Sequence, residues 1–120
     1  HAMTDVTGFG LLGHLHELAL ASGLSAEVDA RAVPEIPPAL SLLADPEERA
    51  VSGGTRRNRD HAEGFTVFAA SVSAQHRWLV CDAMTSGGLL AAVAPAEAAR
   101  IPGVVVGRLL AGQPGTISVR

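Results

Sequence analysis

The stretch Thr4-Asp5-Val6-Thr7-Gly8-Phe9-Gly10 places an acidic residue and two hydroxyl side chains directly before two glycines. Apolar residues then recur at helical spacing, which predicts a loop leading into an amphipathic helix over residues 9–22. Backbone N–H groups at a helix start attract phosphate oxygens, and a carboxylate can hold a Mg²⁺ that bridges them. The pattern fits a phosphate and magnesium site, and it also fits a plain turn in which Thr7 caps the helix.

Beyond this helix the sequence predicts a mixture of helices and strands, which indicates an α/β or α+β layer structure. Gly23 is expected to end the first helix. Residues 47–60 read as a polar loop, and residues 65–72 fit a strand and a helix equally well. Strands are predicted at 25–29, 89–93 (buried), 104–106 and 116–119, and helices at 39–43, 75–81 and 96–99, with a turn at 112–115.

Composition limits the class of protein. The chain has 120 residues, of which 48% are hydrophobic and 18% charged, so we expect a single folded domain. A net charge of −3 argues against a nucleic-acid or membrane partner. The lack of any lysine excludes a lysine as phosphate-loop cation, Schiff base or general base. No apolar stretch reaches the roughly 20 residues that span a bilayer. The single Cys81 cannot form an internal disulfide, which favours a cytoplasmic location.

A second polar segment is Gly53-Gly54-Thr55-Arg56-Arg57-Asn58. Flexible backbone followed by guanidinium groups is suited to binding phosphate or carboxylate. Composition equally allows a solvated loop whose arginines pair with Glu47, Glu48 or Asp60. From this segment alone, both interpretations stand.

The third segment is Thr85-Ser86-Gly87-Gly88, whose paired glycines allow the backbone to approach another segment or a ligand closely. Cys81 lies just before it, and we interpret that thiol as a small buried hydrophobe and not as a nucleophile activated by His76. His14 and His16 are two positions apart on the predicted helix, so their side chains diverge and do not form a zinc site. His61 and His76 lack Cys or His partners at a zinc spacing, and surface or capping roles are expected for them.

Taken together and in this order, the three segments resemble the C-terminal domain of selenophosphate synthetases, also called selenide, water dikinases. These belong to the aminoimidazole ribonucleotide synthetase superfamily. The resemblance implies a three-layer α/β/α fold with a mixed sheet, partly ferredoxin-like. Residues 1–120 would form a single C-terminal domain, with the N-terminal catalytic domain absent and a homodimer as the full-length assembly.

The resemblance also implies a reaction and a site. The family makes selenophosphate from selenide, ATP and water, with AMP and phosphate as co-products and Mg²⁺ as cofactor. Asp5 matches the family aspartate that holds magnesium and phosphates, so it is the implied metal ligand. The implied cofactor-binding residues are Thr4, Asp5, Thr7, Gly8 and Gly10. The implied site-shaping residues are Gly53, Gly54, Thr55, Arg56, Asn58, Thr85, Ser86, Gly87 and Gly88.

Some family features are missing. The family nucleophile, a lysine and a glycine-rich loop lie in the N-terminal domain, so no residue here is assigned as catalytic and the isolated chain is expected to be inactive. Ala83 and Met84 replace the family's Pro-Gln, and residues 95–102 are shorter than the family's helix. The alternatives are a non-catalytic binding or dimerisation module and a domain of another ATP-dependent superfamily member.

Overall fold

The computed structural model describes residues 2–120; His1, the first residue of the predicted domain range 1–120, lies outside the described residues. Helices and strands alternate along the chain. The strands are β1 (Ala2–Asp5), β2 (Ser25–Val28), β3 (Thr66–Phe68), β4 (Leu89–Ala92), β5 (Gly107–Leu110) and β6 (Ile117–Val119). The helices are α1 (Gly10–Ala21), α2 (Ala39–Leu43), α3 (Gly53–Ala62), α4 (Ala74–Cys81) and α5 (Pro95–Ala98), with a short 3₁₀ turn at Ala30–Ala32. That residues 1–120 are one complete domain stays a prediction.

The strands form two sheets. The larger has the order β3-β6-β2-β5, in which β6 runs parallel to both β3 and β2, and β5 runs antiparallel to β2. The smaller consists of β1 and β4 paired antiparallel, with Asp5 opposite Leu89. Parallel and antiparallel pairing within one sheet, together with the helices, confirms the predicted α/β class with a mixed sheet.

The hydrophobic core lies between the larger sheet and helices α1 and α4. Leu12, Val28, Val80 and Val119 are each exposed by 1% or less, and full burial of such a side chain contributes about 1.5–3 kcal/mol. A smaller cluster forms under α2 from Leu43, Val51, Trp78 and Leu79. The core therefore fixes α1 and α4 relative to the sheet, and these two helices position the loops described below.

The first helix confirms its prediction to within one residue at each end. Gly23 ends it, as expected, with a φ of +68° that glycine adopts without steric cost. The N–H of Leu24 then donates to the Ala19 carbonyl at 2.9 Å. The predictions at 25–29, 39–43, 75–81, 96–99 and 116–119 are likewise confirmed within one or two residues, as is the turn at 112–115.

The predicted polar loop at 47–60 is wrong, because its second half belongs to α3. Ser52 caps this helix by accepting a hydrogen bond from the N–H of Thr55 at 3.1 Å. Only Thr55 and Ala62 are buried along the helix, so its sequence shows no broad apolar stripe. The helix is stabilised by its cap and by contacts outside it, which the local pattern does not reveal.

The stretch before α1 was predicted to be loop, yet Ala2–Asp5 forms β1. Its partner β4 was predicted as a buried strand, and this burial is wrong: Leu89 is 72% exposed. A two-stranded sheet has few neighbours to cover it, so an apolar run does not ensure burial here.

Two further predictions concern the larger sheet. The strand expected at 104–106 is wrong, because the chain joins the sheet only at Gly107–Leu110, where Gly107 pairs with Val28, while Val104 and Val105 stay exposed. The undecided stretch 65–72 contributes β3, parallel to β6. None of the helices within residues 2–120 combines the length and the apolar character needed to cross a bilayer.

Candidate functional site

The first and third sequence segments lie side by side. The N–H of Val6 donates to the Gly88 carbonyl at 2.8 Å, continuing the β1–β4 pairing. The N–H of Met84 donates to the Thr7 carbonyl at 3.2 Å. The loop between β1 and α1, residues 6–9, is therefore held along the loop at residues 82–88.

The second segment is joined to the other two by Asn58. Its side-chain Nδ2 donates to the Gly8 carbonyl at 2.9 Å and to the Cys81 carbonyl at 3.0 Å. One amide nitrogen thus bonds the loop at 6–9 and the end of α4 at once. All three segments quoted from the sequence meet at this place in the fold.

Thr55 also joins α3 to the third segment, from inside the protein. Its Oγ1 donates to Asp82 Oδ1 at 2.6 Å and accepts the N–H of Ala83 at 3.2 Å. Because Thr55 is fully buried, it offers no surface to a ligand. Its part in the site is to fix the start of the loop at 82–88.

Glycines are required where the segments touch most closely. Gly10 has a φ of +71°, and a Cβ built on it would lie 2.7 Å from the Cys81 carbonyl oxygen. A Cβ on Gly87 would overlap the Val6 carbonyl oxygen, and one on Gly54 would lie 3.1 Å from Cβ of Ala83. Open space surrounds Gly8 and Gly88. Gly10 and Gly87 therefore allow two backbone segments to pack closely, whereas the space beside Gly8 is open.

Asp5 is exposed at the end of β1, immediately before the loop at 6–9. No basic side chain among residues 2–120 forms an ion pair with its carboxylate, and no group of three or more His, Cys, Asp or Glu residues in that range is arranged to hold a metal. The hydroxyl of Thr4 donates to the Asp5 carbonyl at 3.2 Å, and Thr85 and Ser86 are exposed in the neighbouring loop.

His14 fixes the loop before its own helix. Its Nε2 accepts the backbone N–H of Thr7 at 3.0 Å and lies 3.0 Å from the Thr7 hydroxyl. The sequence analysis did not pair His14 with Thr7, and this contact gives His14 a role in holding the loop at 6–9. His16 points elsewhere, with Nδ1 donating to the Gly115 carbonyl at 2.8 Å, so the predicted divergence of the two histidines is confirmed.

Two of the arginines of α3, Arg56 and Arg59, contact Trp78 and not the loop at 6–9. Arg56 forms an ion pair with Glu48 and lies over the Trp78 ring at 5.7 Å. The pairing with Glu48 is one of the pairings that the solvated alternative allowed. Arg57 is exposed. The helix therefore contributes Asn58 and Thr55 to the meeting point, while the guanidinium groups of Arg56 and Arg59 lie against Trp78.

Cys81 is buried, which raises the pKa of its thiol to about 12, while the charge of Arg59 acts weakly in the opposite direction. A thiol with so high a pKa is not a nucleophile at neutral pH. Among residues 2–120 no hydrogen bond joins His76 to this thiol, and the Nδ1 of His76 lies 2.7 Å from the Ser73 hydroxyl. The interpretation of Cys81 as a small buried hydrophobe is confirmed.

Known proteins resemble this chain along most of its length. A family profile described as "AIR synthase related protein, C-terminal domain" matches residues 1–118. A selenide, water dikinase of Pseudomonas putida is 54% identical over 94 residues, which cover 78% of this chain and 26% of that protein. A selenide, water dikinase of Bordetella bronchiseptica is 42% identical over 127 aligned positions, covering 98% of this chain and 35% of that protein.

A third relative, the selenide, water dikinase of Myxococcus xanthus, is 39% identical over 125 positions, covering 96% of this chain and 34% of that protein. The chain thus spans only a quarter to a third of the length of the curated relatives that it matches. These relatives contain a large further portion beyond the part that is similar to this chain.

Proposed function

The chain belongs to the family of AIR synthase related protein C-terminal domains, and from that premise we propose that it forms the ATP- and Mg²⁺-binding C-terminal domain of a selenide, water dikinase. The whole enzyme would convert selenide, ATP and water to selenophosphate, AMP and phosphate. This chain would hold part of the polyphosphate, and the remainder of the enzyme would supply the reacting groups.

The observation that carries the proposal is the meeting of the three segments beside an exposed Asp5 that has no ion-pair partner among residues 2–120. The side-chain amide of Asn58 donates a hydrogen bond to the Gly8 carbonyl. The loop at 6–9 is therefore fixed before a ligand arrives, which lowers the entropic cost of binding.

The accessible part of this loop is Gly8 and Phe9, which are exposed, whereas Gly10 is buried against the end of α4. Phosphate oxygens would approach the backbone at Gly8, where the absence of a side chain leaves space. A hollow of about 220 Å³ between β1 and α1 is lined in part by Thr4, His14 and Glu17, and His14 also bonds the loop at 6–9 through the Thr7 N–H. The hollow offers room for another part of the nucleotide.

Asp5 suits magnesium, because Mg²⁺ prefers carboxylate oxygens and is commonly bound through one or two carboxylates together with substrate phosphates. Bound Mg²⁺ would neutralise the charge of the polyphosphate during transfer. This chain would contribute the single ligand Asp5, and the positions of Thr85 and Ser86 allow their hydroxyls to bind water or phosphate near it. The other metal ligands would come from the rest of the enzyme.

Because the rest of the enzyme would supply the other metal ligands and the reacting groups, we expect the isolated chain to be inactive. The sequence has no lysine, and the thiol of Cys81 is buried with a raised pKa. We therefore place the nucleophile in an N-terminal domain, and the working enzyme in the cytoplasm as a homodimer. Selenide-dependent formation of AMP by the pure 120-residue chain would contradict this part of the proposal.

The test of the site uses the full-length enzyme and the substitution Asp5→Asn, which removes the charge and keeps the shape. Turnover should fall by at least about tenfold and should require more Mg²⁺, because one charged ligand is lost. Asp60→Asn is the matched control, since Asp60 is an exposed acid on α3. Unchanged magnesium-dependent turnover in the Asp5→Asn enzyme would exclude Asp5 as a metal ligand.

A further inference from the structure

A second hollow lies where α3 and α4 pack together. It has a volume of about 260 Å³ and is lined by Glu48, Arg59, Val72, Ala74, Arg77 and Trp78. We propose that this hollow binds a small phosphate-type oxyanion, either free phosphate or a phosphate monoester. The inference does not depend on the proposed function, because none of these residues belongs to the loop at 6–9.

Arg59 provides the first positive charge. Its guanidinium carbon lies 4.3 Å from the centre of the Trp78 ring, so the indole holds the flat group in place. No carboxylate within residues 2–120 forms an ion pair with Arg59. A stacked guanidinium keeps its N–H groups at the edge, where they can donate to an oxyanion.

Arg77 provides the second charge. Its Nε donates to the Val72 carbonyl at 3.0 Å, and a terminal nitrogen donates to the Ala69 carbonyl at 3.2 Å. Carbonyls are neutral, so these bonds orient the guanidinium without cancelling its charge. The hollow therefore has two oriented cations in its lining, a feature typical of oxyanion sites.

Glu48 is the one acid in the lining, and it is already engaged. Its carboxylate pairs with Arg56, which also donates to the Glu48 carbonyl at 3.1 Å. The lining thus contains two arginines and one carboxylate, and because that carboxylate is paired with Arg56, positive charge is in excess. Glu48 also has a φ of 51°, a strained conformation for a residue other than glycine, and such strain is concentrated at ligand-binding turns.

The volume of the hollow limits the size of the ligand that it can hold. Pockets for drug-sized molecules usually occupy about 300–1,000 Å³, so 260 Å³ favours a small anion over a whole nucleotide. Planar guanidinium groups match the spacing of phosphate oxygens. A phosphate group fits the charge, the hydrogen-bonding pattern and the space.

Trp78 makes the experiment direct. It is the only tryptophan, and the chain has no tyrosine, so fluorescence reports on this hollow. The 120-residue chain is titrated with sodium phosphate at constant ionic strength and without magnesium. We expect a saturable change in emission, with affinity reduced at least about tenfold in Arg59→Gln. Arg100→Gln, at an exposed arginine paired only with Glu97, is the matched control and should bind as the parent does.

Two further comparisons distinguish free phosphate from a phosphate monoester, and the hollow from the proposed ATP site. Glycerol phosphate replaces free phosphate in one titration, so that tighter binding identifies a monoester as the ligand. An emission change that persists in Arg59→Gln would come from binding elsewhere, the loop at 6–9 included, so the Arg59 comparison keeps this inference distinct from the proposed ATP site. Equal affinity of parent and Arg59→Gln, or the same emission change with chloride alone, would overturn the inference.

Should circular dichroism show that Arg59→Gln does not fold, ³¹P resonance of phosphate mixed with the parent chain gives the answer by itself. Broadening of the phosphate line that excess sulfate reverses supports the site. A line width unaffected by the parent chain refutes it.

Discussion

The side-chain amide nitrogen of Asn58 lies 2.9 Å from the carbonyl oxygen of Gly8, a residue fifty positions earlier in the chain. The same nitrogen lies 3.0 Å from the Cys81 carbonyl oxygen, so both amide hydrogens are used. A helix that was predicted as loop therefore fixes the backbone that we propose binds phosphate. The geometry of the loop at 6–9 depends on α3 as much as on its own sequence.

Asn58→Asp should destabilise the chain. The substitution keeps the shape but turns an acceptor oxygen toward two carbonyl oxygens, and we expect the free energy of unfolding to fall by about 1–3 kcal/mol. Urea denaturation followed by Trp78 fluorescence measures the change. Gln113→Glu makes the same chemical change at an exposed position and should stay within about 0.5 kcal/mol of the parent. Equal denaturation midpoints for Asn58→Asp and Gln113→Glu would contradict the role of Asn58.

Thr55→Val tests the buried connection between α3 and the loop at 82–88. Valine fills the same space but leaves Asp82 Oδ1 without its donor and the Ala83 N–H without its acceptor. The expected loss is about 1–3 kcal/mol, measured by thermal and urea unfolding. Thr116→Val removes an exposed hydrogen bond to the Gln113 carbonyl and should cost much less. If both variants lose the same stability, the burial of Thr55 is not what makes its hydroxyl important.

Local sequence predicted the elements whose apolar residues follow one period. The first helix and its Gly23 stop were predicted this way, as was β6. Helix α3 was missed because its six-residue start, 53–58, contains no apolar side chain, and its stability comes from Ser52 and from contacts with α4. Strand β1 was missed because its pairing partner lies more than eighty residues away.

The sequence likewise predicted some residues of the site and missed the contacts of others. Motif resemblance singled out Asp5 and Gly8, which the structure leaves exposed beside open space. It could not show that His14 accepts a hydrogen bond from Thr7, because that contact needs the helix direction and the loop path together. Nor could it show that Arg56 pairs with Glu48, since several acids were within reach in sequence.

Cys81 should be unreactive while the chain is folded. Burial raises the pKa of its thiol from 9.0 to about 12, so almost no thiolate exists near pH 8. Iodoacetamide should therefore label the native chain far more slowly than the chain unfolded in urea, with mass spectrometry as the measurement. Rapid labelling of the native chain would show that the thiol is accessible and the assigned burial incorrect.

The same raised pKa makes stability fall in alkaline solution. As pH rises above about 9, the unfolded chain releases the thiol proton while the folded chain keeps it, so the unfolded state is favoured progressively up to the folded pKa of about 12. The Cys81→Ala variant lacks this group and should lose less stability between those pH values. Parallel pH dependences for parent and variant would contradict the raised pKa.

Gly10→Ala and Gly23→Ala separate backbone strain from steric overlap. Both glycines have left-handed backbone, with φ of +71° and +68°, so each substitution should cost about 1–2 kcal/mol for conformation alone. Only at Gly10 would the new Cβ meet backbone, 2.7 Å from the Cys81 carbonyl oxygen, while Gly23 has open space. We expect Gly10→Ala to cost at least about 2 kcal/mol more than Gly23→Ala, because α1 or the end of α4 must shift.

Urea denaturation of the two variants gives this difference directly, because the strain common to both cancels in the comparison. The shift at Gly10 should also loosen the loop at 6–9, which hydrogen exchange of the Thr7 amide would detect, since that N–H is bonded to His14 in the parent. Gly23→Ala should leave the protection of that amide unchanged. Equal stability of the two variants would mean that α1 and α4 are not in the tight contact from which the position of the loop at 6–9 follows.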